Sequence, residues 1–135
     1  MKFFIPYKMY KTVSLTGSWC ALNCVFCQRK YLENMIHVNP STAERVFREL
    51  YESGVRGLLL SGGFRTDATL PIELYVKVLR EAKKKYGFVI NVHLGLVTSR
   101  DVLGELRDIV DVVDYEFTLS KFIISDVRGL QISPT

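Results

Sequence analysis

The sequence predicts an α/β fold in which about four β/α units form a parallel sheet that curls toward a partial barrel. Three observations lead there. Short apolar runs alternate with stretches whose apolar residues recur every three to four positions, the pattern of strands followed by amphipathic crossover helices. Helix-capping residues and glycines punctuate the boundaries. The chemically unusual residues fall just after strands, at the carboxyl rim where such sheets collect their chemistry.

The first strand is expected at Thr12–Thr16, running into Gly17-Ser18 and a cysteine-bearing segment. In Pro40-Ser41-Thr42-Ala43-Glu44, Ser41 reads as an N-cap and Glu44 as its capping-box partner. Ala43, Val46, Phe47, Leu50 and Tyr51 then line one helix face until Gly54. Gly57-Leu58-Leu59-Leu60 is uniformly apolar, as parallel strands covered on both faces tend to be. It opens into Ser61-Gly62-Gly63 and a loop to Pro71, a residue suited to a first helical turn. The next helix carries Tyr75, Val78, Leu79, Ala82 and Tyr86 inward and stops at Gly87. Phe88–His93 is a third strand, Thr98 with Asp101 caps a helix bearing Val102, Leu103, Leu106 and Ile109, and Val112–Phe117 is a fourth strand. A weaker apolar segment spans Phe122–Leu130. Right-handed crossovers connect such strands, and the visible units make half of an eight-unit barrel or about two thirds of a six-unit one.

The 135 residues suit one domain over 1–135. A composition 48% hydrophobic and 24% charged belongs to a packed globule and excludes a disordered chain. No apolar run approaches the roughly 18 residues of a membrane span. The opening Met1-Lys2-Phe3-Phe4-Ile5-Pro6-Tyr7-Lys8 is too short in apolar residues for a secretory signal. A cytoplasmic protein with no membrane partner is the expectation. The net charge of +4 is scattered, and its densest cluster, Lys83-Lys84-Lys85, sits late in a helix where it complements the helix dipole. Without basic residues interleaved with aromatics, this argues against a nucleic-acid partner.

All three cysteines fall in Trp19-Cys20-Ala21-Leu22-Asn23-Cys24-Val25-Phe26-Cys27, a C-x-x-x-C-x-x-C spacing with an aromatic before the last. An odd number so closely spaced points to reduced thiols on a metal and away from a disulfide framework. Three thiolates leave one iron of a four-iron cluster with an open position, the mark of a centre that binds a substrate. A structural zinc site is the rival reading, with His37 as the nearby fourth ligand. An electron-transfer ferredoxin would want four cysteines per cluster. Asn91 and His93 share strand parity and so can both face the barrel interior, and Asp114 and Glu116 share parity on the last clear strand. His93 reads equally as a structural histidine, and the two carboxylates as rim residues in water.

The spacing of Cys20, Cys24, Phe26 and Cys27 after a first strand resembles the signature of the radical S-adenosylmethionine (radical SAM) superfamily. Ser61-Gly62-Gly63 stands after the second strand, where that family keeps a Gly-Gly segment. The stretch from Cys20 through Arg29-Lys30-Tyr31-Leu32 to Leu58-Leu59-Leu60-Ser61-Gly62-Gly63 is similar, more narrowly, to archaeal-type relatives of biotin synthase. The resemblance covers roughly residues 12–117 and implies a partial (β/α) barrel of the radical SAM type. It implies a 4Fe–4S cluster on Cys20, Cys24 and Cys27, and S-adenosylmethionine with Gly62 and Gly63 toward its methionyl end and Phe26 near its adenine. Asn91 and His93 would lie near that cofactor, and Asp114 or Glu116 would serve ribose hydroxyls. Phe64 stands where the family often has Glu. The implied chemistry is reductive cleavage to a 5′-deoxyadenosyl radical that takes a hydrogen atom from an unknown substrate, with an electron donor such as a ferredoxin or flavodoxin. Since the family core has six units and about four are visible, the expectation is a fragment, or a chain completed by another chain or by homo-oligomerisation. The alternative is a non-catalytic half-barrel, or a zinc- or Fe–S-binding subunit that needs a partner.

Overall fold

The computed structural model describes residues 7–95 and 99–130. Five parallel strands form one sheet: β1 (Tyr10–Ser14), β2 (Ile36–His37), β3 (Gly57–Ser61), β4 (Val89–Gly95) and β5 (Val112–Tyr115). Their order is β2-β1-β3-β4-β5. Helices α1 (Lys30–Glu33), α2 (Ala43–Glu52), α3 (Val76–Tyr86) and α4 (Arg100–Leu106) alternate with them. The expected α/β architecture is therefore present, as an open sheet that does not close into a barrel. The addition is β2, a two-residue strand pairing Val13 with Ile36 and Ser14 with His37. A strand so short carries no alternation for sequence reading to detect.

The helices cover one face of the sheet. Val13, Leu58, Leu60, Ile90 and Val92 from the strands are buried against Phe47 of α2, Leu79 of α3 and Leu106 of α4. Phe47 meets Phe88 edge-on at 6.5 Å between centroids, and Tyr86 lies 4.9 Å from Tyr51 in a tilted stack. Aromatic pairs in these geometries add to the stabilisation from burial alone. Leu59 is only half-buried, because it points to the opposite, open face. The uniform apolar run of β3 thus serves a sheet covered on one side among the described residues.

Local signals set the boundaries. The side-chain bonds in the turn ahead of α2 centre on Asn39, not Ser41: Asn39 Oδ1 accepts from the amides of Ser41 and Thr42, while Thr42 Oγ1 accepts from the Asn39 amide. That is a reciprocal pattern like a capping box, begun two residues earlier than Ser41 and Glu44 suggest, and it closes the turn through Pro40 that leads into α2. A 3₁₀ turn, Ile72–Tyr75, leads from Pro71 into α3. Gly87 ends α3 at φ 64°, a left-handed conformation in which a side chain would be strained. Thr98 lies outside the described residues. Ser99 is the residue that accepts from Val102 N to cap α4. No helix among the described residues is long and apolar enough to cross a membrane.

β4 and β5 place Asn91 opposite Val112 and His93 opposite Asp114, with a bulge between His93 and Gly95. β5 is exposed along its whole length. The segment read only as weakly apolar folds into a π-helical turn, Ile123–Val127, and returns across the carboxyl ends of the strands. There Ile124 and Leu130 pack with Cys20, Leu22, Cys24 and Leu32 in a second small core.

Candidate metal centre

The loop after β1 carries the cysteines to the carboxyl end of the sheet. Tight turns fold it: Cys27 N and Gln28 N both donate to Cys24 O, and Lys30 N donates to Cys27 O. Gln28 and Arg29 take positive φ values of 46° and 66° to turn the chain into α1. Cys20 and Cys24 are buried and Cys27 partly so.

All three line one cavity of about 140 Å³ together with Phe26, Ser61, Gly62, Phe64, His93, Glu116 and Arg128. The rim expected from strand order therefore assembles as one site. A larger groove of about 450 Å³ between α2 and α3 is lined by Glu44, Phe47, Glu81, Lys84 and Lys85. It holds no thiol or histidine, and the stems of surface lysines form its wall.

Charged groups converge on the cavity from three elements. His93 Nδ1 lies 3.3 Å from Ser61 Oγ, and its Nε2 lies 3.5 Å from Glu116 Oε1. The Arg128 guanidinium pairs with Glu116 and sits 5.4 Å over the Phe26 ring. Glu116 Oε2 and Arg128 Nε are buried and, among the described residues, have no hydrogen-bond partner outside this ion pair. The His93 hydrogen bond holds the Glu116 carboxyl below its ordinary range; burial opposes this, and the Arg128 charge adds to it. Phe64 meets His93 edge-on at 5.4 Å.

The remaining expected residues lie elsewhere. Asn91 sits one side-chain layer below His93 and does not line the cavity; its Oδ1 is buried and unpaired. Asp114 lies beside His93 in register, also off the cavity. Gly63 is buried behind Cys20. His37 is outside the cavity, its Nε2 2.8 Å from Leu32 O. Arg128 is the site residue that sequence reading missed, because it arrives on a segment without helical or strand periodicity.

The donor set fits a thiophilic metal group. Burial first, then the charges of Cys27 and Cys20, push the Cys24 thiol above its ordinary value, while Arg128 partly offsets them. Thiolates that repel one another in this way would be relieved by a shared cation. Among the described residues, no three Cys, His, Asp or Glu side chains already converge closely enough to grip an ion. The three thiols nonetheless line one cavity.

A parallel β/α sheet with three thiols gathered at its carboxyl rim defines a metallocofactor-binding domain. The Radical SAM superfamily matches over residues 14–119, and the chain belongs to that superfamily. No curated protein matches it. Members of the superfamily normally bind a 4Fe–4S cluster and S-adenosylmethionine.

Proposed function

We propose that Cys20, Cys24 and Cys27 hold a 4Fe–4S cluster, and that the chain binds S-adenosylmethionine beside it to initiate hydrogen-atom abstraction from a substrate. The observation that supports this reading is the single cavity that joins the three thiols to Gly62, His93, Glu116 and Arg128. When bound, the cluster and its cofactor supply a 5′-deoxyadenosyl radical by one-electron reductive cleavage.

The chain's own residues have separable tasks. The cysteines provide thiolate ligands. Arg128 offers a guanidinium suited to a carboxylate, and Glu116 offers acceptor oxygens suited to hydroxyl or amino groups. His93, between Ser61 and Glu116, fixes the direction of that carboxylate. Phe26 presents an exposed ring to which a flat heterocycle can stack. The half-buried cavity limits water around these groups. Within the superfamily, the cysteine loop with Arg29-Lys30-Tyr31-Leu32 favours a place near the archaeal-type relatives of biotin synthase.

Anaerobic reconstitution tests the reading. About four irons and four sulfides per chain are expected, with 5′-deoxyadenosine released after reduction in the presence of S-adenosylmethionine. Each of Cys20→Ala, Cys24→Ala and Cys27→Ala should abolish cluster assembly, and His37→Ala should not. Tight uptake of one zinc without iron would overturn it. A second reading, a half-barrel active only with a completing chain, is favoured by the exposure of every residue of β5.

A further inference from the structure

The glycine pair after β3 touches the cysteine loop directly. A Cβ built on Gly63 would stand 1.8 Å from Trp19 O and 2.5 Å from Cys20 Cα. Both are backbone atoms, so no rotamer change relieves the clash. Gly63 N donates to Thr16 Oγ1 at 2.6 Å, and the same hydroxyl donates to Trp19 O at 2.9 Å. One residue on, Phe64 N donates to Cys20 Sγ at 3.3 Å, and Phe64 O accepts from Ala21 N at 2.8 Å. Four hydrogen bonds and one close backbone approach therefore brace Cys20 and its chain neighbours, one of the bonds ending on the Cys20 sulfur itself.

We propose that Thr16, Gly63 and Phe64 form a clasp that presets Cys20 as the fixed ligand of the set, about which Cys24 and Cys27 close. Thr16 bridges the turn after β1 to the turn after β3, so the position of Cys20 is referred to the paired ends of two sheet strands. The Phe64 amide points at the sulfur, where an N–H donor modulates the potential of whatever the sulfur ligates. Among the described residues, the hydrogen bonds of Cys24 and Cys27 run within their own loop and to the 123–130 segment, where Cys24 Sγ lies 3.9 Å from Arg128 O. Gly63 is thus a positioning residue for the loop, a task separate from any contact that Gly62 makes with a cofactor across the cavity. The presetting of Cys20 stands on the metal-free geometry alone; only its effect on a bound cluster rests on the function proposed above.

Two arms test it. In the first, the full-length reduced chain without metal is alkylated with limiting iodoacetamide, and each cysteine is followed by peptide mass spectrometry. Thr16→Val should make Cys20 react about fivefold faster, as expected when one net hydrogen bond stops holding the loop, with Cys24 unchanged. Thr16→Ser, which keeps the hydroxyl, should restore the wild-type rate. Equal Cys20 rates in wild type and Thr16→Val, or a rise at Cys24 to match Cys20, would overturn the proposal. In the second arm, Gly63→Ala should lose most of its iron on reconstitution, while Gly104→Ala, whose Cβ meets nothing within 4 Å, should load fully. Full iron uptake by Gly63→Ala would also overturn it. If the wild type takes up no iron, the proposed function fails and the alkylation arm still decides the clasp.

Discussion

Arg128 reaches the candidate site from far along the chain, and among the described residues its guanidinium is held by one carboxylate and one aromatic ring. A buried, under-bonded cation facing a cavity is costly unless a ligand completes its partners. S-adenosylhomocysteine, which keeps the amino-acid moiety, should therefore bind the reconstituted chain tenfold or more weakly after Arg128→Gln, since hydrogen bonds to charged groups contribute about 1.5–3 kcal/mol. 5′-Methylthioadenosine, which lacks that moiety, should bind both proteins alike. Calorimetric titration of the two ligands checks this, and parallel losses for both would assign Arg128 a structural task. At this scale the gathering of the cysteines on one loop was legible because their spacing is local. Arg128 and the steric demand at Gly63 were not, because each exists only once distant segments pack.

Among the elements, the junction of α3, β4 and β5 depends on Asp111. Its Oδ2 accepts from Ile90 N at 2.7 Å and from Lys83 Nζ at 2.5 Å, and Lys83 also reaches Phe88 O. Burial alone would raise this carboxyl, but the bond from Lys83, the Ile90 amide and the Lys83 charge outweigh it and hold it below the ordinary range. A depressed folded-state value means the stabilisation is complete above the unfolded carboxylate pKa of about 4 and fades as pH falls through the folded value. Asp111→Asn should thus lower stability near neutral pH and converge with wild type in acid. The difference is on the order of 0.5 kcal/mol, because the Asp111 side chain is 39% exposed and water screens the pair. Urea titrations at neutral and acidic pH measure it. Lys83 sits in the basic run that the sequence explains by the helix dipole; the structure adds this specific bond, which depends on a residue from another element. Helix and strand identities were legible because they follow from periodicity. The turn into α2 was misread because Pro40-Ser41-Thr42 offers competing signals, and the side-chain reach of Asn39 decided between them.

At the scale of the molecule, the sheet has two unequal edges: β2 is two residues long, whereas β5 is four residues long and exposed throughout. Beyond it Phe117 is 77% exposed, with Leu119 and Phe122 nearby in the chain also exposed. Exposed edges flanked by apolar side chains pair with other chains unless charge or a covering element blocks them. The chain is accordingly expected to self-associate or to bind a completing partner through this edge. In sedimentation velocity, the double variant Val113→Lys/Phe117→Lys should shift the population toward monomer; an unchanged distribution would place association elsewhere.

The strand order also has a consequence for biogenesis. β1 is flanked by β2 on one side and β3 on the other, and the clasp on Cys20 forms only when Gly63 and Phe64 arrive beside it. During synthesis, which runs from the N-terminus, all three thiols leave the ribosome before the residues that shelter them. The interval in which oxidants or adventitious zinc can reach these cysteines is therefore set by chain order, and no gain in the stability of the finished fold would shorten it.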